Sequence, residues 1–210
     1  MNQHIFPDLR ERIESFKEIK ISEERLISLS PLINDLRKKL SHTEPVKLNY
    51  IGINNSHKSL IAQVWTQVAA VYFNLDIRSY SCGISQRRIL PQTIKIMKEH
   101  GFKVFKKSSD DQVYFAWYSQ EEDPITLFSK KTNDLINPPV DFAAVFTFPA
   151  DPETKLLFDH AEKSIQLDFP DSYSKTDVSS IEKWSEKFSC ELFYAISATE
   201  TRTIQLKNIT

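Results

Sequence analysis

The first 45 residues carry apolar positions at helical spacing, separated by charged ones. A first stripe recurs in steps of three and four after Pro7, a residue that suits the first turn of a helix: Leu9, Ile13, Phe16 and Ile19. A second stripe follows Ser22: Leu26, Leu29, Leu32, Ile33, Leu36 and Leu40. Each amphipathic helix needs a surface to cover, so residues 1–45 are predicted to form a helical arm packed on the main domain.

From Val46 onward, short apolar runs alternate with longer helical stripes. Strands are predicted at 46–51, 76–81, 102–105, 142–148 and 165–169, and helices at 57–74, 91–100 and 178–198. Two further strands, Val113–Tyr118 and Ile125–Phe128, have the pattern of a hairpin. The order strand, helix, strand, helix, strand predicts a parallel sheet with helices on both faces, within one domain that spans 46–210.

Composition narrows the classes of function. The 210 residues are 40% hydrophobic with a net charge of −1, which favours an ordered core and gives no general attraction for nucleic acid or anionic membrane. No apolar run is long enough to span a bilayer, and the N-terminus has no signal-peptide segment, so we expect a cytoplasmic protein. Two cysteines and five scattered histidines predict no disulfide framework and no metal site, and no cofactor is expected.

The loop Gly52–Ser59 is the first candidate site. It follows a predicted parallel strand and leads into a helix, the place where open α/β sheets bind ligands. Small polar residues let backbone N–H groups converge, and a helix N-terminus favours an anion. The same composition is also ordinary helix capping, and the residues alone leave both interpretations open.

The stretch Tyr50–Gln63 resembles the phosphate-binding loop of low-molecular-weight protein-tyrosine phosphatases and the related thioredoxin-coupled arsenate reductases. It is more similar to bacterial phosphatase-like members with a helical N-terminal extension. The resemblance continues through 64–70, 79–83, 98–102, 142–145 and 161–163. It implies a flavodoxin-like three-layer sandwich with a four-stranded parallel sheet, an inserted β-hairpin and an N-terminal helical arm.

The loop differs from the family pattern at the two positions whose side chains carry out the family's chemistry. The family's nucleophilic cysteine falls on Gly52 and its anion-binding arginine on Lys58, whereas Asn55, Ser56 and Ser59 match. Asp171 is the best positional match for the family's general acid. The resemblance therefore implies a catalytically degenerate protein that binds phosphate, another oxyanion or a phosphorylated partner. The predicted ligands are Asn54, Asn55, Ser56, His57, Lys58 and Ser59.

Two alternatives stay open. A working hydrolase with altered chemistry would use His57, Cys82 or an activated water together with Asp171, although Cys82 has the pattern of a buried residue and His57 that of a surface or first-turn histidine. A pure interaction module would use the helical arm or the hairpin of 113–128. Arg87 and Arg88 either border the pocket mouth or form a solvated pair.

Overall fold

The computed structural model describes residues 4–42, 44–109, 111–167, 169–170 and 177–207, with side chains as far as residue 199. The helices are α1 (Pro7–Ser15), α2 (Glu23–Lys39), α3 (Lys58–Tyr72), α4 (Pro91–Glu99), α5 (Pro152–Leu156) and α6 (Val178–Lys207), with a 3-10 turn at Phe16–Glu18. The strands are β1 (Val46–Gly52), β2 (Ile77–Gly83), β3 (Lys103–Lys106), β4 (Tyr114–Trp117), β5 (Ile125–Leu127), β6 (Phe142–Phe146) and β7 (Lys163–Gln166). Among the helices of these ranges, none has the length and apolarity that a membrane span requires.

The main sheet has four parallel strands in the order β2-β1-β6-β7. Numbered along the chain these are strands 2-1-3-4, the order of flavodoxin-like folds, so the predicted fold class is confirmed. Leu48 and Tyr50 of β1 join the core that also contains α3 and α6, while Ile51 joins Phe142 and Phe146 on the other face. Helix α3 packs on the first face and Phe158, which follows α5, packs on the second. Strand β6 is buried on both faces, which explains why it is apolar at every position.

The third predicted strand does not belong to the parallel sheet. Strand β3 pairs antiparallel with β4, which pairs antiparallel with β5, so the predicted hairpin is confirmed as two strands of a separate three-stranded sheet. The assignment of β3 to the strand-helix alternation is wrong. Lys103, Phe105 and Lys106 are exposed, and a strand covered on both faces by helices would need apolar residues there. The place of the third parallel strand is taken by β6.

Helix α2 packs along α6 through buried leucines and a buried ion pair. Leu29, Leu32 and Leu36 are fully buried. Arg25 donates from Nε and Nη2 to the carboxylate oxygens of Glu191, at 3.1 and 2.9 Å, and both side chains are buried. Because an ionised pair out of water is stable only when each charge keeps its partner, the contact fixes the register of α2 on α6.

We predict that Glu191→Leu lowers the free energy of unfolding by about 3–5 kcal/mol, since Arg25 then loses its buried carboxylate. The double variant Arg25→Met/Glu191→Leu is expected to recover most of that loss, because neither charge remains buried. Urea unfolding followed by tryptophan fluorescence measures both variants. A single variant as stable as the parent protein would contradict the prediction.

Candidate functional site

The loop between β1 and α3 borders a cavity of about 320 Å³ at the carboxyl edge of the parallel sheet. All eight residues from Gly52 to Ser59 line the cavity, so the structure brings the predicted ligands together around one space. The other walls come from three further segments of the chain: Leu90, Thr147 with Phe148, and Ile181 with Trp184. The position is the one where open α/β sheets bind ligands.

The backbone carbonyls of the loop are held from outside, mainly by the connection between β2 and α4. The donor and acceptor pairs are Ile84 N to Gly52 O (3.1 Å), Ser85 N to Ile53 O (2.8 Å), Arg87 N to Asn54 O (3.4 Å) and Leu90 N to Ser56 O (3.2 Å). Hydroxyl groups add three more, from Ser85 Oγ to Ile53 O (3.2 Å), from Ser129 Oγ to Asn54 O (2.8 Å) and from Thr93 Oγ1 to Ser56 O (2.9 Å). These bonds turn the loop carbonyls towards the protein.

The backbone N–H groups of the same loop have no such partners. Within the described ranges, no protein acceptor is bonded to the amides of residues 54–59. Native proteins rarely leave a run of donors without acceptors, and successive free amides at a helix N-terminus are the usual backbone arrangement for holding an anion. Most carbonyls of the loop are therefore hydrogen bonded, whereas the amides of residues 54–59 are available within the described ranges.

Asn55 determines the shape of the loop. Its φ is +44°, a left-handed conformation that asparagine tolerates better than most residues. The side chain is 1% exposed; Nδ2 donates to Ser59 Oγ at 3.0 Å, and Oδ1 accepts from Lys130 N at 3.1 Å. Since the carboxamide is used inside the protein, only the backbone of Asn55 is left for a ligand.

Two glycines allow the close approach of loop and sheet. A Cβ on Gly83 would lie 2.5 Å from Ser85 O and 2.7 Å from Asn55 N, distances that backbone atoms do not accommodate. A Cβ on Gly52 would lie 2.7 Å from Ser59 Oγ. Sequence reasoning missed Gly83, although the chain has only three glycines and this one ends a strand beside the loop.

Lys58 brings a cation to the cavity. Its Nζ lies 4.6 Å from the ring centroid of Phe169 and 5.4 Å from that of Trp184, which is a cation–π arrangement. Burial lowers the pKa of Lys58, and no carboxylate pairs with this lysine in the part of the chain that the structure describes. A partly desolvated ammonium without a counter-ion attracts an anion more strongly than a solvated one.

His57 is a structural residue: it directly precedes the first turn of α3, as one of its two interpretations expects, but it is buried and not a surface histidine. The ring is buried, with Nδ1 2.5 Å from Thr93 Oγ1 and Nε2 2.9 Å from Ser185 Oγ, and it lies edge-on to Trp184. Burial, together with the neighbouring Lys58, lowers the pKa of His57 to about 3. Both ring nitrogens are engaged, so the imidazole connects the start of α3 to α4 and α6. Thr93, Ser185 and Trp184 lie far along the sequence, and no local pattern identified them.

The remaining candidates lie away from the loop or outside the described residues. Cys82 belongs to the core on the other face of the sheet, where burial raises the pKa of its thiol to about 12. Cys190 is also buried. Arg87 and Arg88 line a neighbouring cavity with Gln112 and Phe128. Asp171 lies outside the described residues, and in the part that is described no His, Cys, Asp and Glu side chains cluster as a metal site would require.

No protein-family model and no curated protein matches this sequence. Solved structures that align with the chain include an arsenate reductase in a phosphate-binding state, at 15% identity and a TM-score of 0.43 over 72% of this chain and 97% of that one. A thioredoxin-dependent arsenate reductase from Corynebacterium glutamicum aligns at 17% identity and a TM-score of 0.40, over 90% and 84% of the two chains. A low molecular weight phosphotyrosine phosphatase from Vibrio cholerae O395 aligns at 10% identity and a TM-score of 0.38, over 78% and 97%. At such identities and TM-scores the similarity assigns no function to this chain.

We predict that the buried His57 destabilises the fold in acid. The pKa of the ring is about 3 in the folded protein and 6.5 ordinarily, so below pH 6.5 the unfolded chain takes up a proton that the folded protein does not. Stability is therefore complete above pH 6.5 and falls as the pH drops, by about 3 kcal/mol at pH 4.

Urea unfolding at pH 7 and pH 4, compared with a His57→Gln variant, measures this contribution. Burial also lowers the pKa of His100 to about 3, so the wild-type slope contains both histidines and the difference between the two proteins isolates His57. Equal loss of stability in the two proteins between pH 7 and pH 4 would contradict the prediction.

Proposed function

We propose that the 52–59 loop binds phosphate or a related tetrahedral oxyanion, free or carried by a partner molecule, without forming a covalent intermediate. The observation that carries the proposal is the division of the loop's hydrogen bonds. Four of its carbonyls are bonded to the surrounding protein, and the amides of residues 54–59 have no acceptor in the described residues. A tetrahedral oxyanion presents several acceptor oxygens at once, which is what a ring of free donors requires.

The charges around the cavity support the same ligand. The N-terminus of α3 places the positive end of a helix dipole at the loop, and Lys58 adds a full positive charge. Lysine binds an oxyanion as a point charge, whereas arginine binds two of its oxygens in a planar fork. Lys58 is therefore better suited to binding the oxyanion than to following the change of geometry that a reaction would cause at the central atom of that oxyanion.

The residues of the loop argue against a phosphoenzyme step. Gly52 offers no nucleophile at the position that the resemblance assigns to cysteine. Neither alternative nucleophile is available in the described residues: both ring nitrogens of His57 are hydrogen bonded, and the Cys82 thiol is buried with a raised pKa. This supports a degenerate, phosphatase-like protein that binds its ligand without covalent turnover.

We predict that backbone amide NMR with inorganic phosphate, at constant ionic strength, shows saturable shifts confined to residues 52–59. Lys58→Met is expected to weaken the affinity by about tenfold, the value of one hydrogen bond to a charged group. Lys155→Met is the matched control, because Lys155 is an exposed lysine on α5 and does not line the cavity.

The same samples separate binding from catalysis when an aryl phosphate replaces phosphate and product is followed over time. Shifts without product support the proposal. An absence of shifts at millimolar phosphate, or a burst of product, would contradict it.

We predict that Gly52→Cys combined with Lys58→Arg recovers measurable hydrolysis of an aryl phosphate, because the loop keeps its backbone donors. The new Cβ would meet the Ser59 hydroxyl at 2.7 Å, so this hydroxyl must rotate away from Asn55, with a loss of about 1 kcal/mol in stability. Lys58→Arg alone is the control and should be inactive. A folded, phosphate-binding double variant without turnover would show that the reaction centre has lost more than two side chains.

A further inference from the structure

Three buried polar side chains form a series of hydrogen bonds that ends on the 52–59 loop. Ser185 Oγ lies 2.9 Å from His57 Nε2, and His57 Nδ1 lies 2.5 Å from Thr93 Oγ1. Thr93 Oγ1 in turn lies 2.9 Å from the carbonyl oxygen of Ser56. Thr93 and Ser185 are fully buried, and His57 is 6% exposed. The series therefore runs through the interior from α6 to the loop.

The position of each proton in this series follows from its last acceptor. A carbonyl oxygen cannot donate, so the single hydroxyl proton of Thr93 is used on Ser56 O. Thr93 Oγ1 then accepts from His57, and Nδ1 must carry the proton of the ring. Nε2 keeps its lone pair and accepts from the Ser185 hydroxyl. The ring has only this one proton at neutral pH, because burial lowers the pKa of His57 to about 3.

The last bond of the series fixes one peptide unit of the loop. Ser56 O accepts from Thr93 Oγ1 and, at 3.2 Å, from Leu90 N, so the carbonyl is held against the start of α4. A trans peptide directs its C=O and N–H to opposite sides, which turns the amide of His57 away from α4. That amide has no acceptor in the described residues, and both Ser56 and His57 line the cavity.

We propose that Thr93 is a positioning residue of the anion site. Its hydroxyl, oriented by His57 in the Nδ1–H tautomer and through it by Ser185, holds the Ser56–His57 peptide with the amide directed to the oxyanion. This inference rests on the proposed function, because it names how one donor of that site is oriented. Thr93 and Ser185 do not line the cavity, so they affect the ligand only through the loop.

The same series attaches the loop to a wall of the cavity. Ser185 follows Trp184, whose ring lines the cavity and lies edge-on to His57 with 4.8 Å between the ring centroids. A shift of α6 that broke the bond between Ser185 and His57 would allow the ring to change its tautomer. The Thr93 hydroxyl would then donate to Nδ1, and Ser56 O would lose it. Helix α6 thus supports the loop as well as bordering its cavity.

The first test is the tautomer of His57, measured by long-range proton–nitrogen NMR of the imidazole at pH 7. The spectrum of His57→Gln identifies the signals of this ring among the five histidines. We expect the proton on Nδ1 in the wild-type protein. Thr93→Val removes the acceptor of that proton and should move it to Nε2, which can donate to Ser185. A wild-type ring with its proton on Nε2 would overturn the inference.

The second test is titration with inorganic phosphate, followed by backbone amide NMR. Thr93→Val keeps the shape of the side chain without its hydroxyl, and we expect it to weaken phosphate binding by about fivefold, the equivalent of one neutral hydrogen bond. Thr93→Ser keeps the hydroxyl and should restore the affinity. Thr66→Val is the matched control, because the buried Thr66 hydroxyl bonds Tyr50 Oη at 2.7 Å and does not line the cavity.

Circular dichroism checks the fold of every variant. Ser185→Ala is the second variant in case valine is not tolerated at position 93; it removes the donor to Nε2 and should also weaken phosphate binding. Equal affinity of Thr93→Val and Thr66→Val, or no recovery in Thr93→Ser, would overturn the positioning role while the proposed function stands. A wild-type protein that binds no phosphate would overturn the proposed function itself, and this role with it.

Discussion

The candidate site depends on hydrogen bonds that pull the carbonyls of the 52–59 loop outward. The connection that follows β2 donates to Gly52, Ile53, Asn54 and Ser56, one carbonyl after another. A peptide unit whose carbonyl is fixed on one side has its N–H directed to the other, so these external bonds orient the amides before any ligand arrives. Preorganised donors cost no rearrangement on binding, and the proposed affinity of the loop for an anion rests on that property.

Because backbone amides form the proposed anion site, its geometry does not depend on the side chains at positions 52 and 58. Asn55 with its positive φ, and Gly83 with its lack of a side chain, set the path of the loop. Gly52 contributes only its backbone carbonyl to the bonds that hold this path, and the side chain of Lys58 is not among their partners. A chain can therefore lose a nucleophile here and keep an anion site, provided that the second strand and its connection stay unchanged.

The parts that could be predicted from the sequence are those whose signal is local. The strand patterns at β1, β2 and β6, of which β6 is apolar throughout, predicted the parallel sheet, and Asn55 with Ser59 indicated the loop through their match to a known pattern. Strand β3 was misassigned because its exposed lysines and Phe105 favour an edge position that strand-helix order does not encode. The burial of His57 depends on Thr93 and Ser185, which only the fold brings to it. No local pattern could have indicated this.

Asn55 joins the loop to Lys130 through one carboxamide. Nδ2 bonds the first turn of α3 through Ser59, and Oδ1 bonds the backbone of Lys130. If these two partners move in different directions, the planar carboxamide cannot keep both hydrogen bonds at full strength. A ligand that displaces the loop would therefore displace the backbone of Lys130, and the reverse holds by linkage. Because this link consists of two neutral hydrogen bonds of about 1 kcal/mol each, the effect that it can transmit between the loop and the backbone of Lys130 is modest.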